Sequence, residues 1–413
     1  MNEKRVGVVI AGLNGAVATT VLAGAALMKK GLAPRHGMMT ESKLCDGLPL
    51  APLEDLVFGG WDLRTDNAYE AACEHEVVPY HLLDKVKTEL EAIKAWPAVA
   101  SSKYLKAMNG KNLVTVNNVR EEIAHITSTI EQFKLQHKLS RVVMVNLTST
   151  ERFTELEDVH RTIAAFEAGL DSDDPRISPA MKYLYVAIQL GIPHANFTPS
   201  LSKIPALEKL AEQRGVPIAG EDGKTGQTML KTVLAPAFVI RQLHVDGWYS
   251  TNILGNNDGL VLDDPGSNKT KVQSKQKVLD DILGYAIQNH QVHIDYYRPR
   301  GDAKEAWDSI DLVGFLGERM QLKVDFLCKD SILAAPLVID LVRLLDLAKR
   351  HKERGIQRQM SVFFKAPYRS DGERAQHDLF KQQALLEDWL EQIARKDAQT
   401  PAQVQPATAR SAG

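Results

Sequence analysis

The sequence is poor in cysteine and has no overall excess of positive charge. Only three cysteines occur among 413 residues, and Cys45, Cys73 and Cys328 are far apart, with no C-x-x-C pair. The pattern indicates neither a disulfide framework nor a cysteine zinc site, and it fits a reducing cytoplasm. A formal net charge of -2 disfavours nucleic-acid binding, because affinity for a phosphate backbone requires concentrated lysine and arginine.

No charge occurs between Val6 and Met28, a stretch long enough to cross a membrane. Its internal pattern favours another structure, because Val6–Ile10 is typical of a buried parallel strand and small, turn-forming residues follow from position 12 to 20. Residues 21–30 are rich in alanine and end at Gly31, which predicts a helix packed on a sheet. We therefore predict a strand, a loop and a helix here, and no membrane partner.

The loop after this first strand could bind a nucleotide. Gly12-Leu-Asn14-Gly15-Ala16-Val-Ala18 matches G-x-G-x-x-G imperfectly, since Asn14 replaces the second glycine, Gly15 follows it, and Ala18 takes the third position after Gly15. A strand that leads through a glycine turn into a helix places free N–H groups where a pyrophosphate can bind. On this motif alone, an ordinary tight turn is an equal alternative.

Two further strand ends carry polar residues. The apolar run from Leu56 ends at Asp62, whose carboxylate could accept two hydrogen bonds from a ribose, although Gly12 is farther away than the usual spacing of about twenty residues. By spacing alone, Asp62 fits a helix N-cap or a surface charge better. Residues 140–147 form another strand pattern, and the Thr148–Glu151 cluster, which includes Thr150, could cap the next helix or line a ligand crevice. The alternation to about residue 220 predicts a doubly wound parallel sheet.

A glycine-rich loop at 220–228 contains Gly-Lys-Thr but is not a P-loop, because Ile218 stands where the first glycine should be. The loop could approach a phosphate or a nicotinamide closely, or be a solvated turn. Its polar residues are Glu221, Asp222, Lys224, Thr225, Gln227 and Thr228.

The segment from Asn252 to Lys275 is the most informative part of the chain. Its amides and carboxylate on a glycine turn suit the hydroxyls of a polar substrate, and Lys271 and Lys275 share one helix face. Each lysine alone is best explained as a solvated surface residue. Together with Lys304 and Lys381 in a partly dry pocket, they could bind a phosphate, hold an enolate oxygen and provide a base. The polar residues of the turn are Asn252, Asn256, Asn257 and Asp258.

In this order the motifs resemble those of the inositol-3-phosphate synthase family, also called myo-inositol-1-phosphate synthases. The resemblance runs through residues 220–228, 252–259, 271–275, 301–304 and 330–336, and it covers most of the chain from about residue 5 to 393. It implies that NAD+ oxidises C5 of glucose 6-phosphate, that the enolate formed by loss of a C6 proton closes onto C1, and that NADH reduces the ketone. The product would be 1L-myo-inositol 1-phosphate, for inositol and phospholipid biosynthesis. A need for a monovalent or divalent cation stays open, and so does any metal site.

The resemblance also implies residue roles. Lys271 would act at the C5 hydroxyl, Lys275 and Lys304 at the phosphate and the enolate, and Lys381 near the C1 carbonyl oxygen. Substrate contacts would come from Asn252, Asn256, Asn257, Asp258 and Asp302. Cofactor contacts would come from Gly12, Asn14, Gly15, Ala16, Asp62, Thr150, Asp222, Thr225, Asp330 and Ser331.

The implied architecture is a Rossmann-type doubly wound sheet with an inserted α+β domain for catalysis and tetramer formation. The NAD-binding domain would span 1–228, the insert 229–332, and a return segment 333–395 would complete the first domain. The resemblance implies a homotetramer, although the sequence by itself leaves a dimer as the alternative. Residues 396–413 have almost no large apolar side chain, which predicts a disordered tail. Two rival functions remain: a dehydrogenase that releases NADH, and a non-catalytic sensor of sugar phosphate or NAD.

Overall fold

The computed structural model describes residues 2–105, 110–255, 278–370 and 372–399, and it arranges the described strands in two sheets. The first sheet contains β1 Asn2–Ala11, β2 Leu56–Asp62, β3 Trp96–Pro97, β4 Leu139–Asn146, β5 His194–Asn196, β6 Pro217–Gly220 and β11 Gly355–Ile356. The second contains β7 His244–Leu254, β8 Asn289–Tyr296, β9 Ala303–Val313 and β10 Arg319–Lys329.

Helices connect and cover these strands, and residues 278–283 form a further helical segment. Their bounds are α1 Ala16–Lys29, α2 Ala68–His75, α3 Tyr80–Leu83, α4 Lys87–Glu91, α5 Val119–His137, α6 Ile163–Asp171, α7 Pro179–Gln189, α8 Pro205–Arg214, α9 Gly226–Ile240, α10 Asp330–Arg350 and α11 Leu379–Gln399. Within the described ranges, no helix is long and apolar enough to cross a membrane.

The first sheet is doubly wound, as the sequence predicts. Its order is β11-β6-β5-β4-β1-β2-β3, and all neighbouring strands are parallel. The chain proceeds outward from β1 to β3 and then returns to place β4 on the other side of β1. The winding therefore reverses between β1 and β4, and ligands of open α/β sheets bind at such a reversal, outside the carboxyl ends of the strands.

Alternate side chains of β1 point to opposite faces of the sheet and pack in two different cores. Val8 and Ile10 lie in a core shared with α1, α10 and α11, whereas Val9 and Ala11 lie in a core shared with α5, α7 and α8. Successive side chains of a strand point to opposite faces, so a run of apolar residues becomes a strand buried on both sides. The uncharged N-terminal stretch thus contains an interior strand of the sheet.

Helix α1 begins at Ala16, five positions before the helix predicted from residue 21. The sequence suggested a longer loop because Thr19 and Thr20 are poor helix formers. In the structure their hydroxyls donate to backbone oxygens of the preceding turn, Thr19 to Gly15 at 3.0 Å and Thr20 to Ala16 at 2.7 Å. These bonds satisfy the buried hydroxyls inside the helix.

The second sheet is mixed and has the order β10-β9-β7-β8. Strand β9 pairs antiparallel with β7 and β10, and β7 pairs parallel with β8. One face packs against α9 and residues 278–283, with Phe238, Trp248 and Leu279 in the shared core. The α/β fold with an additional α+β unit, expected from the sequence, is confirmed.

The chain returns to the first sheet through α10, which packs on α1 and β4, and then forms β11 and α11. Helix α11 extends to Gln399 and so includes residues 396–399, which the sequence assigned to a disordered tail. Its buried Leu386, Leu390 and Ile393 continue the apolar helix face almost to that point. Residues 400–413 lie outside the described residues, and the proposed domain boundaries stay predictions.

We expect Gly60→Ala to destabilise the first sheet and the helices packed on it. A Cβ at Gly60 would collide with the carbonyl oxygen of Ile10 and lie 2.8 Å from its backbone nitrogen, so β1 and β2 would have to separate. The expected loss in unfolding free energy is about 3 kcal/mol or more, measured by urea denaturation.

The control is Gly24→Ala in α1, where a Cβ has no atom within 4 Å. It should stabilise the protein by about 0.5–1 kcal/mol, because alanine is the better helix former. Equal stability of the two variants would contradict the packing explanation.

Candidate active site

A cavity of about 490 Å³ lies at the carboxyl edge of the first sheet, at the reversal between β1 and β4. The ends of β1, β2 and β4 deliver its lining residues. Gly12, Asn14 and Gly15 come from the first loop, Asp62 from the second, and Thr150 from the third. The structure therefore brings together strand ends that the sequence presented as separate motifs.

The loop at Gly12 has the geometry that close approach to a ligand requires. Gly12 has φ +89°, and a Cβ there would lie 2.7 Å from the carbonyl oxygen of Leu147. Helix α1 begins directly after Gly15, which provides no side-chain cap, so the first N–H groups of the helix face the cavity edge. An uncapped helix N-terminus on a glycine turn suits a pyrophosphate.

Asp62 is held beside this loop. Its Oδ2 accepts a hydrogen bond from the backbone N–H of Asn14 at 2.9 Å, and its Oδ1 accepts one from that of Arg64 at 3.0 Å. Burial raises the pKa of Asp62, and the two backbone hydrogen bonds oppose that effect. The next helix, α2, is capped by Asn67 instead, so the helix N-cap interpretation of Asp62 is wrong.

The Thr148–Glu151 cluster does not cap the helix that follows it in sequence, which corrects the prediction. No α-helix begins until Ile163, and that helix is capped by Thr162. Glu151 instead accepts a hydrogen bond from the backbone N–H of Ala180 at 2.9 Å, at the N-terminus of α7. Burial raises the pKa of Glu151 to about 7. The cluster lines the cavity, which was the other interpretation of its sequence.

The residues around the cavity fit a dinucleotide. The side-chain oxygen of Asn14 is buried and has no hydrogen-bond partner among the described residues, although its Nδ2 donates to the carbonyl of Asp66 at 2.8 Å. An acceptor left open beside an uncapped helix N-terminus and a fixed carboxylate matches a ligand that combines phosphates with ribose hydroxyls.

The 220–228 loop lies at the same edge of the sheet, after β6. Asp222 has φ +61°, and its Oδ1 accepts a hydrogen bond from Lys365 Nζ at 2.9 Å. Thr225 is buried at the start of α9 and provides no side-chain cap, so this helix also has an open N-terminus. The arrangement can bind a phosphate.

Lys224 is a buried lysine that the sequence did not single out. Its Nζ donates to Oε1 of Gln382, the residue after Lys381. Burial lowers the pKa of Lys224 to about 7. Lys381 itself is exposed on the first turn of α11, with Nζ 3.9 Å from Asp378 Oδ2. Lys381, the lysine predicted to act at C1, therefore precedes Gln382, the residue through which α11 contacts the 220–228 loop.

Lys304 lies at the start of β9, opposite Cys328 of β10. Its Nζ is 3.4 Å from Asp330 Oδ2, and its side chain is 13% exposed. A side chain placed on Gly226 would lie 3.6 Å from Cys328 Sγ, which puts the N-terminus of α9 beside this pair of strands. A lysine and an open helix N-terminus therefore occupy the same region.

Asp302 and Ser331 bind each other. Asp302 Oδ1 accepts from Ser331 Oγ at 2.9 Å, and Oδ2 accepts from the backbone N–H of Ser331 at 3.2 Å. These bonds cap the N-terminus of α10 and fix the turn that carries Lys304 and Asp330. The sequence assigned Asp302 to the substrate and Ser331 to the cofactor, and the structure brings the two side chains into direct contact.

Asn252 lies on β7 and is buried. Its Nδ2 donates to Oε1 of Gln227 in α9 at 2.7 Å, and its Oδ1 has no partner among the described residues. The structure therefore brings Asn252 to the same helix N-terminus as Lys304. Other predicted site residues lie outside the described residues: Asn256, Asn257, Asp258, Lys271 and Lys275.

Further polar residues behind Asn252 were missed. Lys231 is fully buried, with Nζ 3.1 Å from His290 Nε2 and 5.6 Å from the Trp248 ring centroid, and burial lowers its pKa to about 8. Gln227 and Lys231 are four residues apart after the glycine loop, and that spacing could have indicated a shared helix face. Every second residue of β9 belongs to its buried face, and Asp308 stands among apolar residues on that face. This misplaced charge is the sequence signal that could have indicated Asp308.

This chain is similar to several known proteins. The family model described as myo-inositol-1-phosphate synthase matches residues 6–391. Inositol-3-phosphate synthase 1 of Bacteroides thetaiotaomicron is 44% identical over 406 residues, covering 94% of this chain and 95% of that protein. Inositol-3-phosphate synthase 1 of rice, Oryza sativa, is 30% identical over 83% of this chain and 72% of its own length. A crystal structure of inositol-3-phosphate synthase from Caenorhabditis elegans superposes with TM-score 0.88 at 25% identity, covering 97% and 90% of the two chains.

The buried Lys224 predicts a pH dependence of stability. Its folded pKa of about 7 lies below the ordinary value of 10.5, so between these values the unfolded chain binds the proton and the folded chain does not. The contribution of Lys224 to stability therefore rises with pH across that window and is constant below it. The unfolding free energy of the wild type minus that of Lys224→Met should increase from pH 7 to pH 10 (about the ordinary lysine pKa), measured by urea denaturation.

Lys209→Met is the matched control, because the Lys209 side chain is 63% exposed. The unfolding free energy of the wild type minus that of Lys209→Met should not increase with pH as it does for Lys224→Met. A flat profile for Lys224→Met would show that the folded protein keeps Lys224 charged.

Proposed function

The chain belongs to the NAD-dependent myo-inositol-1-phosphate synthase family, and on that premise we propose that it converts glucose 6-phosphate to 1L-myo-inositol 1-phosphate. One observation carries the proposal: an open helix N-terminus at Thr225, the amine of Lys304 and the amide of Asn252 lie in one region, and the cavity at the ends of β1, β2 and β4 has a lining that suits a dinucleotide. Phosphate, anionic oxygen and hydroxyl groups of one sugar phosphate match these three features.

The first loop would hold the cofactor. The α1 N-terminus after Gly15 would bind its pyrophosphate, and Asp62 would accept from ribose hydroxyls. Asn14 has a buried acceptor free for a further donor. When bound there, NAD supplies the hydride acceptor that turns C5 into a ketone and later returns the hydride. We also assign Ala16, Thr150, Asp222, Thr225, Asp330 and Ser331 to the surroundings of the cofactor.

The lysines would carry the proton transfers and hold negative charge. Lys304, next to Asp330 and largely shielded from water, would hold the phosphate or the enolate oxygen, because a cation in a dry site interacts more strongly than in water. A C5 ketone makes the C6 proton acidic, so a neutral amine can remove it. Lys271, which lies outside the described residues, is proposed for proton exchange at the C5 hydroxyl, Lys275 for the phosphate, and Lys381 for the C1 oxygen.

The polar side chains would orient the substrate. Asn252 would accept a hydrogen bond from a substrate hydroxyl through its open Oδ1. Asp302 would act through Ser331 and the α10 N-terminus that it caps. The remaining proposed contacts, from Asn256, Asn257 and Asp258, follow from the motif.

We expect the purified protein to turn over glucose 6-phosphate with NAD+ and to accumulate no NADH, because the hydride returns to the substrate. Phosphorus NMR should identify an inositol phosphate, and absorbance should show constant NADH. Stoichiometric NADH would favour a dehydrogenase, and binding without product would favour a sensor; each would contradict the proposal.

Lys304→Ala tests the role of Lys304 in the same turnover assay. It should lower kcat about 100-fold or more if Lys304 stabilises developing charge. Lys209→Ala, which removes an exposed lysine of α8, should keep wild-type turnover.

We further propose a homotetramer that assembles through the outer face of the second sheet. Tyr249 is 40% exposed there, and its ring lies 5.1 Å from that of His293 and 5.9 Å from that of Trp307. The edge strand β10 adds the exposed side chain of Leu327 to the same face. An apolar sheet face beside an unpaired edge strand favours association.

Sedimentation velocity should give the mass of four chains, and Tyr249→Lys should shift it to smaller species because a charge would be buried in the interface. Tyr80→Lys changes an exposed tyrosine of the other sheet region and should leave the mass unaltered. A wild-type monomer would contradict this assembly.

The domain boundaries at 228/229 and 332/333 and a cytoplasmic location complete the proposal. The three separate thiols of Cys45, Cys73 and Cys328 form no disulfide, which suits a reducing compartment.

A further inference from the structure

A buried carboxylate lies beneath the proposed substrate site. Asp308 of β9 is 1% exposed, and three side chains donate to it. Trp248 Nε1 and Ser250 Oγ donate to its Oδ1 at 2.7 and 2.6 Å, and Gln227 Nε2 is 3.3 Å from both of its oxygens. Trp248 and Ser250 lie on the same face of β7 as Asn252, because side chains two residues apart on a strand share a face.

These contacts fix the direction of every hydrogen bond in the cluster. An indole N–H can only donate, so Oδ1 of Asp308 must be an acceptor. Gln227 directs its NH2 group to the carboxylate and therefore directs Oε1 to Asn252. Asn252 in turn directs Nδ2 to Gln227 at 2.7 Å, which leaves its buried Oδ1 without a hydrogen-bond partner among the described residues.

We propose that Asp308 is a positioning residue that selects, through Gln227, which end of the Asn252 amide faces the substrate. The inference rests on the proposed function, because the ligand at Asn252 is the sugar phosphate. The site then presents a hydrogen-bond acceptor, and it favours a substrate that offers a hydroxyl donor at this point. A reversed amide would present a donor, so the hydroxyl hydrogen would lose its acceptor and the hydroxyl would have to rotate and accept instead.

A cation balances the buried charge of the relay formed by Asp308, Gln227 and Asn252. Lys231 lies on α9 one turn after Gln227, and the charge of Asp308 opposes the lowering of the Lys231 pKa by burial. A buried carboxylate without compensation is strongly unfavourable, so this lysine permits the relay to use a charged anchor.

A carboxylate at position 308 can only accept hydrogen bonds, so it fixes the direction of the relay, whereas an amide there would also donate. In Asp308→Asn, Trp248 and Ser250 would keep the oxygen of the new amide, so its NH2 group would face Gln227. Gln227 would then reverse and present Nε2 to Asn252. Asn252 would reverse as well and present Nδ2, a donor, to the substrate.

The double variant Asp308→Asn/Gln227→Glu should restore the original direction. The amide at 308 would donate to the new carboxylate at 227, and that carboxylate would accept from Asn252 Nδ2. The acceptor Oδ1 of Asn252 would again face the substrate. The double variant also keeps a single negative charge in the cluster and the same shape.

The test measures kcat and KM for glucose 6-phosphate in the wild type, D308N and D308N/Q227E, with thermal unfolding as a check of folding. We expect D308N to raise KM about tenfold or more, because a polar group buried against the wrong partner loses its bond, and we expect the double variant to recover a KM close to that of the wild type. D311N is the matched control, since Asp311 lies on the same strand but is exposed, and its KM should not change.

Three outcomes would overturn the relay: an unaltered KM in D308N, a folded double variant without recovery, or an equal loss in D311N. If D308N does not fold, the double variant carries the test by itself, and a KM raised more than about tenfold would overturn the relay. If the wild type has no turnover, the proposed function fails, and calorimetric affinity for glucose 6-phosphate in the same variants then tests the relay separately.

Discussion

The register of β1 between β2 and β4 is the constraint on which the site depends. Ala11 is paired with Trp61 on one side and with Asn146 on the other, so the three strands end at one level. Their loops therefore begin together, and Gly12 can approach the carbonyl of Leu147 as no residue with a Cβ could. A shift of one residue would turn the apolar side chains of β1 to the opposite faces, so the two buried cores fix this register and, with it, the cofactor loop.

Several helix N-termini are capped by the protein's own side chains, whereas two uncapped ones lie at the proposed site. Asn67 and Asn118 cap α2 and α5 with their own side chains, and Glu151 reaches across to the start of α7. Helices α1 and α9 begin after Gly15 and at Thr225 without a side-chain cap, and both face the proposed site. Unsatisfied N–H groups are unfavourable when buried, so open helix ends at the carboxyl edge make sense with anionic ligands.

Local signals predicted the parts of the fold that depend on neighbours in sequence. The apolar run to Ile10 and the glycine turn after it identified β1 and α1 because burial and backbone freedom are properties of single residues. The prediction for Glu151 failed because its partner, Ala180, is distant in sequence, and no spacing rule connects the two. Asp308 was missed for the same reason: a lone carboxylate in a strand resembles a surface charge until β7 and α9 pack around it.

Burial shapes the chemistry of the site as much as the choice of residues does. The same exclusion of water that lowers the pKa of Lys224 and Lys231 toward neutrality strengthens the attraction of Lys304 for an anionic oxygen. A dry site also raises the penalty for a wrongly directed hydrogen bond, because no water can replace the missing partner. Neutral amides are then useful for recognising hydroxyl groups, since they add no charge that would compete with the phosphate. An amide can face either way, however, so recognition by Asn252 requires a group of fixed polarity behind it, and Asp308, balanced by Lys231, is that group.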